Sequence, residues 1–505
     1  MYKYIYTTNK PKIITMSLII KSSNESTAYL VGDSSEILYL SKQLEFQPDG
    51  YRFMTGFIYG YWDGYIRPIN AKTGEFKKGL VSTILKTAKS NSIQCEICPI
   101  DFKYLSDSIS MCNIDNISNG DSVSITPYDF QINGVKHILE NKRCIIESPT
   151  GSGKSLMQYI TVKSMLDSNK YGKILIIVPT VSLVTQLYGD FLDYSENDDT
   201  FNTENICHTI AEGSPKKADK PLYISTWQSL QHIKDKKYFE EFDVIMVDEC
   251  HTASAKSITN IMEYAINATI KVGFSGTLKD CKMDKTALFG LFGDVYKTAT
   301  TKELMDRGIL ATLIVKNIQL KHRESMPPME YKEEINYLVS HEKRNNFIIK
   351  LAASLEGNTL ILFELVQKHG KVLYADIKEK YPDKDIYLIY GGVKSGKREE
   401  IRKLLETKEN AIIIASYQTF QAGINIKKLH NIIFASPSKS KIRVFQSVGR
   451  GLRTHSTKNE AVLYDISDDL SGTRKLQNHT LRHFECRLEM YIEEQFNIKS
   501  ITLSI

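Results

Sequence analysis

The stretch "IIESPTGSGKSLMQYI", Ile145 to Ile160, decides how this chain is read. An apolar run enters a short loop rich in small residues, and a helical pattern leaves it. Strand, loop and helix in that order make a phosphate cradle, because backbone N–H groups and a helix N-terminus converge on one point. Gly151 and Gly153 let the backbone close on phosphate oxygens. Lys154 reaches the β and γ phosphates, and the Ser155 hydroxyl suits Mg²⁺. Ser148 stands where the strict pattern has glycine, so the predicted loop runs Ser148, Pro149, Thr150, Gly151, Ser152, Gly153, Lys154, Ser155. The cofactors it implies are ATP and Mg²⁺.

Downstream, "DVIMVDECH" puts four apolar residues ahead of Asp248. A buried parallel strand would end there, on the sheet edge where ligands bind in open α/β folds. Asp248 is placed to hold Mg²⁺ and Glu249 to polarise an attacking water. Around these two motifs, short apolar runs alternate with helical patterns: "RCIIES", "KILIIVP", "LYIST" and "DVIMVDE". The series restarts with "NTLILFE", "DIYLIYG", "NAIIIAS", "HNIIFAS" and "AVLYDI". Continuous apolar strands between helices mean parallel sheets covered on both faces. The expected fold class is α/β: two tandem parallel-sheet lobes behind a small α+β N-terminal domain.

The chain has 505 residues, 42% hydrophobic and 25% charged, with a formal net charge of +6. This is a globular composition, and its charge permits an anionic partner without requiring one. No apolar run approaches the roughly 20 residues of a membrane span, and the N-terminus lacks the h-region of a secretion signal. The expected location is the cytoplasm. Cys95 and Cys98 form a CxxC, with Cys112 beyond, but no second pair follows at zinc-finger spacing, so reduced thiols are expected.

The expected divisions are a flexible extension over 1–15, a small nucleic-acid-binding domain over 16–120, the first lobe over 121–315, a hinge over 316–345, the second lobe over 346–470 and a closing helical segment over 471–505. Polar "NIDNISNGDS" (Asn113 to Ser122) reads as a linker, and "KHRESMPPMEYKEE" (Lys321 to Glu334) as part of the hinge. Asp33 and Glu36 read as a capping box ahead of an amphipathic helix. "DGYRFMTGFIYGYWDGYIR" (Asp49 to Arg67) reads as a β-hairpin turning at Trp62, with most of its aromatics in the core. Trp62 at the turn would stack on a base, and Arg52 and Arg67 would meet phosphates.

"DECH" (Asp248 to His251) after "SPTGSGKS" resembles the DExH branch of the superfamily-two helicases. Further motifs of that family fall in order: "DFQINGVK" with Gln131, "IIVPTVSLVTQ", "ISTWQSL", "SGT" (Ser275 to Thr277), "ASYQTFQAGINI" and "QSVGRGLR". The resemblance implies two RecA-like lobes with ATP and Mg²⁺ between them, and gives Gln131 the role of reading adenine. It also places Gly423 beside the nucleotide and makes Arg450 and Arg453 arginine fingers. These two lie three apart, so a helix projects them from one face, and Gln446 lies one turn earlier. "PDGYRF…YGYWDGYIR" ahead of the motor brings the chain close to the phage recombination helicases that migrate branched DNA. What that implies is an ATP-dependent DNA helicase acting on Holliday junctions, forks and R-loops. It would work as a monomer, with recombination and replication proteins as possible partners and no membrane.

Sequence-independent translocation calls for phosphate contacts, assigned to Thr180, Thr226, Lys439, Lys441 and backbone amides near Gly423. Competing readings are an RNA helicase, a restriction-system translocase, or an ATP-gated sensor of distorted DNA. The region between "KILIIVP" and "LYIST" has no large hairpin insertion of the kind such a sensor would use. An adaptor without catalysis would leave Lys154, Asp248, Glu249, Arg450 and Arg453 without a purpose.

Overall fold

The structure is a computed structural model that describes residues 17–102, 108–120, 123–211, 213–253, 256–278, 281–323, 326–421, 426, 428–436, 440, 449, 460–472 and 477–505. The N-terminal domain is built on β1 (Leu18–Ser22), β2 (Thr27–Val31), β3 (Glu75–Lys77) and β4 (Cys95–Ile97), ordered β3-β2-β1-β4. β1 alternates buried and exposed residues, so Leu18 and Ile20 face the helices. They meet Leu40 of the helix Ser34–Leu44 and Ile84 of the helix Val81–Ser90 in one apolar cluster. Asp33 caps the first of these helices, accepting from the backbone N–H of Ser35 and Glu36.

The stretch from Asp49 to Arg67 is not the hairpin expected. It folds as a 3₁₀ turn, Tyr51–Phe53, and a short helix, Thr55–Ile58, closed by a single antiparallel bridge between Phe46 and Ile66. The glycines explain it: Gly50, Gly60 and Gly64 all take positive φ and interrupt any extended run. Nor are the aromatics core. None is buried, and Phe53 and Tyr61 are 85% and 88% exposed.

The first lobe contains β5 (Arg143–Glu147), β6 (Ile174–Val178), β7 (Cys207–Ile210), β8 (Leu222–Thr226), β9 (Val244–Asp248), β10 (Ile270–Ser275) and β11 (Val295–Lys297). They form one parallel sheet in the order β11-β5-β10-β9-β6-β8-β7. Because every strand runs the same way, the P-loop, Asp248, Ser275, Thr180 and Thr226 all arrive at one edge. Residues expected to be linker belong to this lobe instead. Ile109 and Ile117 are buried in its core, so the N-terminal domain ends before the predicted limit at residue 120.

The second lobe contains β12 (Thr312–Lys321), β13 (Thr359–Phe363), β14 (Ile386–Ile389), β15 (Ile412–Ser416), β16 (Asn431–Phe434), β17 (Glu460–Asp469) and β18 (Asn497–Ser504). Its order is β14-β15-β13-β16-β17-β12-β18, again parallel. β12 pairs with β17 along its whole length, so the expected break at 315/316 falls inside a strand. The predicted hinge is likewise part of the lobe. Glu334, on the helix Tyr331–Ser340, caps the helix His479–Glu493, accepting from the backbone N–H of His479 and Thr480. The closing segment adds not only that helix but β18, an edge strand. Arg487 and Tyr491 anchor the helix on the buried Asp465 of β17.

The N-terminal domain is fastened to the first lobe by buried charge. Lys78 Nζ donates to Glu25 at 2.8 Å, and Arg143 reaches the same residue. Lys271 donates to Ser26 Oγ and to the Met262 carbonyl. A Cβ on Gly79 would stand 2.2 Å from the Phe289 carbonyl oxygen, so the backbones meet directly.

Candidate nucleotide cleft

β5 delivers the chain to the loop, and the helix Lys154–Asp167 begins at Lys154 with Gly153 at φ +81° before it. Gly151, at φ +87°, makes the other reversal. Ser148 explains its own presence at the position where glycine is usual. Its side chain is fully buried, 2.6 Å from Ser152 Oγ and accepting from Thr298 Oγ1 at 2.8 Å. Lys154 Nζ donates to the carbonyls of Ser148 and Pro149 at 3.1 and 3.3 Å.

Gln131 is buried against this loop. Its Nε2 donates to the Ser152 carbonyl at 2.8 Å, and its Oε1 accepts from Tyr128 N at 2.8 Å. Both ends of the amide therefore brace the protein. A Cβ on Gly153 would come 2.3 Å from that Nε2, which adds a second reason for glycine there. Beside it lies a platform that the sequence reading missed. Tyr128 stacks on Phe130 at 5.7 Å, and Arg307, paired with Asp129, sits over both rings. Phe130 is buried in the second lobe's core cluster, so this helix joins the two lobes. The spacing of Tyr128 and Phe130 was visible in the sequence, but the partnership with Arg307 was not.

Asp248 ends β9. Burial first, and next the Glu249 carboxylate beside it, push the Asp248 carboxyl up to about 6. Two crowded carboxylates, one of them buried, suit a divalent cation, so the residues fit Mg²⁺. Gln158, one turn into the P-loop helix, donates to Asp248 Oδ1 at 3.3 Å. The Ser155 hydroxyl lies 3.0 Å from Tyr194 Oη. Glu249 takes a left-handed backbone conformation, φ +49°. His251 Nδ1 sits 3.2 Å from Glu249 Oε2 and 3.0 Å from Ser275 Oγ, which joins the DECH strand to the SGT strand. Past Ser275, a Cβ on Gly276 would stand 3.1 Å from Thr150 Oγ1.

The second lobe reaches the same loop. Gly449, within "QSVGRGLR", is buried against Thr150, which brings that motif to the P-loop. Gly423, Lys439, Lys441, Gln446, Arg450 and Arg453 lie outside the described residues. At the C-terminal edge of the second sheet a cavity of about 220 Å³ is lined by Glu364, Tyr390, Gly391, and Ser416 and Tyr417 of the "ASYQTFQAGINI" motif.

The residues assigned to nucleic acid are dispersed. Thr180 and Thr226 cap the helices Val181–Tyr194 and Trp227–Leu230, accepting from Leu183 N and Ser229 N. Their hydroxyls are thus spent on the protein, and the helix N-termini they open face the ligand edge. In the N-terminal domain Arg67 is held by Glu45 and Asp63, and Trp62 donates its indole N–H to the Tyr65 carbonyl. Arg52 lies over the Tyr51 ring. The most exposed large apolar side chains between Asp49 and Arg67 are Phe53, Ile58, Tyr59 and Tyr61.

Three family models match the chain. That for the N-terminal domain of DNA helicase UvsW covers residues 18–97. That for the res subunit of type III restriction enzymes covers 124–280, and that for the helicase conserved C-terminal domain covers 343–455. The ATP-dependent DNA helicase uvsW of Enterobacteria phage T4 is 35% identical over 487 residues, spanning 91% of this chain and 94% of that protein. Two distant solved structures share the fold. A putative HsdR subunit of a type I restriction enzyme from Vibrio vulnificus YJ016 is 18% identical, with a TM-score of 0.54 over 75% of this chain and 69% of that one. S. cerevisiae Dbp5 bound to RNA and ADP BeF3 is 12% identical, with a TM-score of 0.54 over 75% and 90%.

Proposed function

Because this chain belongs to the UvsW family of ATP-dependent DNA helicases, we propose that its substrates are branched DNAs: Holliday junctions that it migrates, stalled forks that it regresses and R-loops that it unwinds. The observation that carries this reading is the N-terminal domain. It is fastened to the first lobe through Arg143 on Glu25 and Lys271 on Ser26, and it holds an exposed aromatic rim of Phe53, Tyr59 and Tyr61. A rim carried on a motor lobe moves with that lobe and can stack on unpaired bases where strands separate. Arg52, Trp62 and Arg67 then act chiefly by shaping the rim.

In the cleft, Lys154 and the loop amides would hold the ATP phosphates, with Ser155 and Asp248 as ligands of Mg²⁺. The bound cation would neutralise charge on the phosphates. Glu249, steadied by His251, would orient the attacking water, and Gln446, Arg450 and Arg453 would complete the site from the second lobe. Gln131 would bear on adenine, and Gly423 would lie beside the nucleotide. Strand contacts would come from the helix openings at Thr180 and Thr226 and from Lys439 and Lys441. Among the described residues no helix is long and apolar enough to cross a membrane. The reading is of a monomer working in the cytoplasm beside recombination and replication proteins.

The test is a panel: ATPase stimulation and strand displacement on a mobile four-way junction, a fork, an R-loop, linear duplex DNA and structured RNA. Branched DNA should stimulate most and be unwound. Equal stimulation by linear duplex would remove the branch specificity, and preference for structured RNA would move the protein to another substrate class.

A further inference from the structure

Ser155 has a neighbour that the phosphate-loop pattern does not supply. Its Oγ lies 3.0 Å from the phenol oxygen of Tyr194, the last residue of the helix Val181–Tyr194. The Tyr194 ring is set in place by Tyr159, edge-on at 5.4 Å, and Tyr159 in turn packs against Phe191 and Phe201. Its backbone carbonyl accepts from Ser118 N. The phenol therefore sits in a built environment, one turn from the P-loop.

A serine hydroxyl that gives a lone pair to a cation has one proton, and that proton needs an acceptor pointing away from the cation. The buried acid across the cleft is already engaged: Asp248 Oδ1 accepts from Gln158 Nε2. We propose that Tyr194 is a positioning residue for the metal ligand. Its phenol oxygen accepts a hydrogen bond from the Ser155 hydroxyl, which fixes the hydroxyl rotamer and leaves the Ser155 lone pair facing the Mg²⁺ site. This rests on the reading of Ser155 as a ligand of Mg²⁺.

The experiment uses the full chain and four variants: Tyr194→Phe, Ser155→Ala, Tyr159→Phe and the double variant Ser155→Ala with Tyr194→Phe. Tyr159 is the control, because it belongs to the same ring cluster and its hydroxyl has no hydrogen-bond partner among the described residues. Mg²⁺ is titrated against binding of a fluorescent ATP analogue, which is read without turnover, and nucleotide binding is measured again in excess chelator. In Tyr194→Phe the Mg²⁺ concentration at half-saturation should rise about tenfold. Binding in chelator and the ligand-free melting temperature should match wild type, and Tyr159→Phe should leave the Mg²⁺ curve in place. In the Ser155→Ala background, Tyr194→Phe should add nothing. A wild-type Mg²⁺ curve in Tyr194→Phe overturns the proposal, as does an equal loss of binding in chelator or an equal shift in Tyr159→Phe. Failure of the underlying reading looks different: wild-type binding would then show no dependence on Mg²⁺, and Ser155→Ala would change nothing.

Discussion

Gly449 of the second lobe and Thr150 of the P-loop are in direct contact: a Cβ built on Gly449 would stand 2.5 Å from Thr150 Cβ. Thr150 also faces Gly276 of the SGT segment, so three distant motifs meet at one threonine. Gly449→Ala should hold the lobes apart at this point. Nucleotide binding should survive within a few-fold, while ATP turnover falls at least about tenfold, because the second-lobe groups then miss the transferring phosphate. Steady-state ATPase beside equilibrium nucleotide binding checks this.

Lys154→Ala removes the cation that now bonds to the Ser148 and Pro149 carbonyls. ATP turnover should drop by about three orders of magnitude or more, since in the proposed site this charge would lie where phosphate charge develops. DNA binding without nucleotide should stay within about twofold of wild type. Electrophoretic mobility shift and ATPase assays on one preparation suffice.

Ser275→Ala cuts the 3.0 Å link from His251 to the SGT strand and leaves both strand cores intact. ATPase activity should stay within a few-fold of wild type, whereas junction unwinding per ATP hydrolysed should fall about tenfold. The paired readout is phosphate release and strand displacement under the same conditions.

The paired substitution Tyr59→Ala and Tyr61→Ala trims exposed rings that lie tilted toward each other, their centroids 6.3 Å apart. The melting temperature should not change, because neither side chain is buried. Affinity for a four-way junction should fall by at least about fivefold, from roughly 1–3 kcal/mol per stacked base, with basal ATPase intact. Fluorescence anisotropy with a labelled junction measures it. Loss of solubility with normal junction affinity would return these rings to a structural role.

His369 sets an acid limit on the second lobe. Burial first, then the nearby Arg344 guanidinium, push its imidazole down to about 3, and it faces Ser436 Oγ at 3.2 Å. The same network holds the Asp468 carboxyl below the ordinary range: burial would raise it, but Arg344 and His322 more than offset that. An unfolded histidine takes up a proton near 6.5, while the folded one resists it. Stability is therefore whole above about pH 6.5 and declines as pH falls toward 3, by roughly 2 kcal/mol at pH 5. His369→Gln should flatten that slope in thermal melts compared at pH 7.5 and pH 5.

The sequence alone determined the two-lobe parallel architecture and the residues at its ligand edge. A buried parallel strand is a continuous apolar run, and a phosphate loop needs glycine, lysine and serine at fixed spacing; both are local properties that the chain writes out in order. The positions of Lys154, Asp248 and Glu249 at the sheet edge were legible for that reason, and Ser275 through the helicase resemblance. The tertiary structure alone decided which side chains meet across that order. Gln131 donates its amide to the Ser152 carbonyl, Ser148 bonds to Thr298, Tyr194 reaches Ser155 and Gly449 touches Thr150, all through contacts between distant segments that no local pattern encodes. It also reversed the reading of Asp49 to Arg67. Aromatic alternation there looked like a hairpin core, but the three left-handed glycines leave the stretch with a single bridge, Ile66 to Phe46, and none of its rings is buried. The hinge failed as a local reading for a related reason. Polarity and proline marked Lys321 to Glu334 as a connector, yet β12 runs to Lys321 in register with β17, and Glu334 is buried at a helix N-terminus. Strand pairing and capping over more than a hundred residues of separation are decided by the assembled sheet.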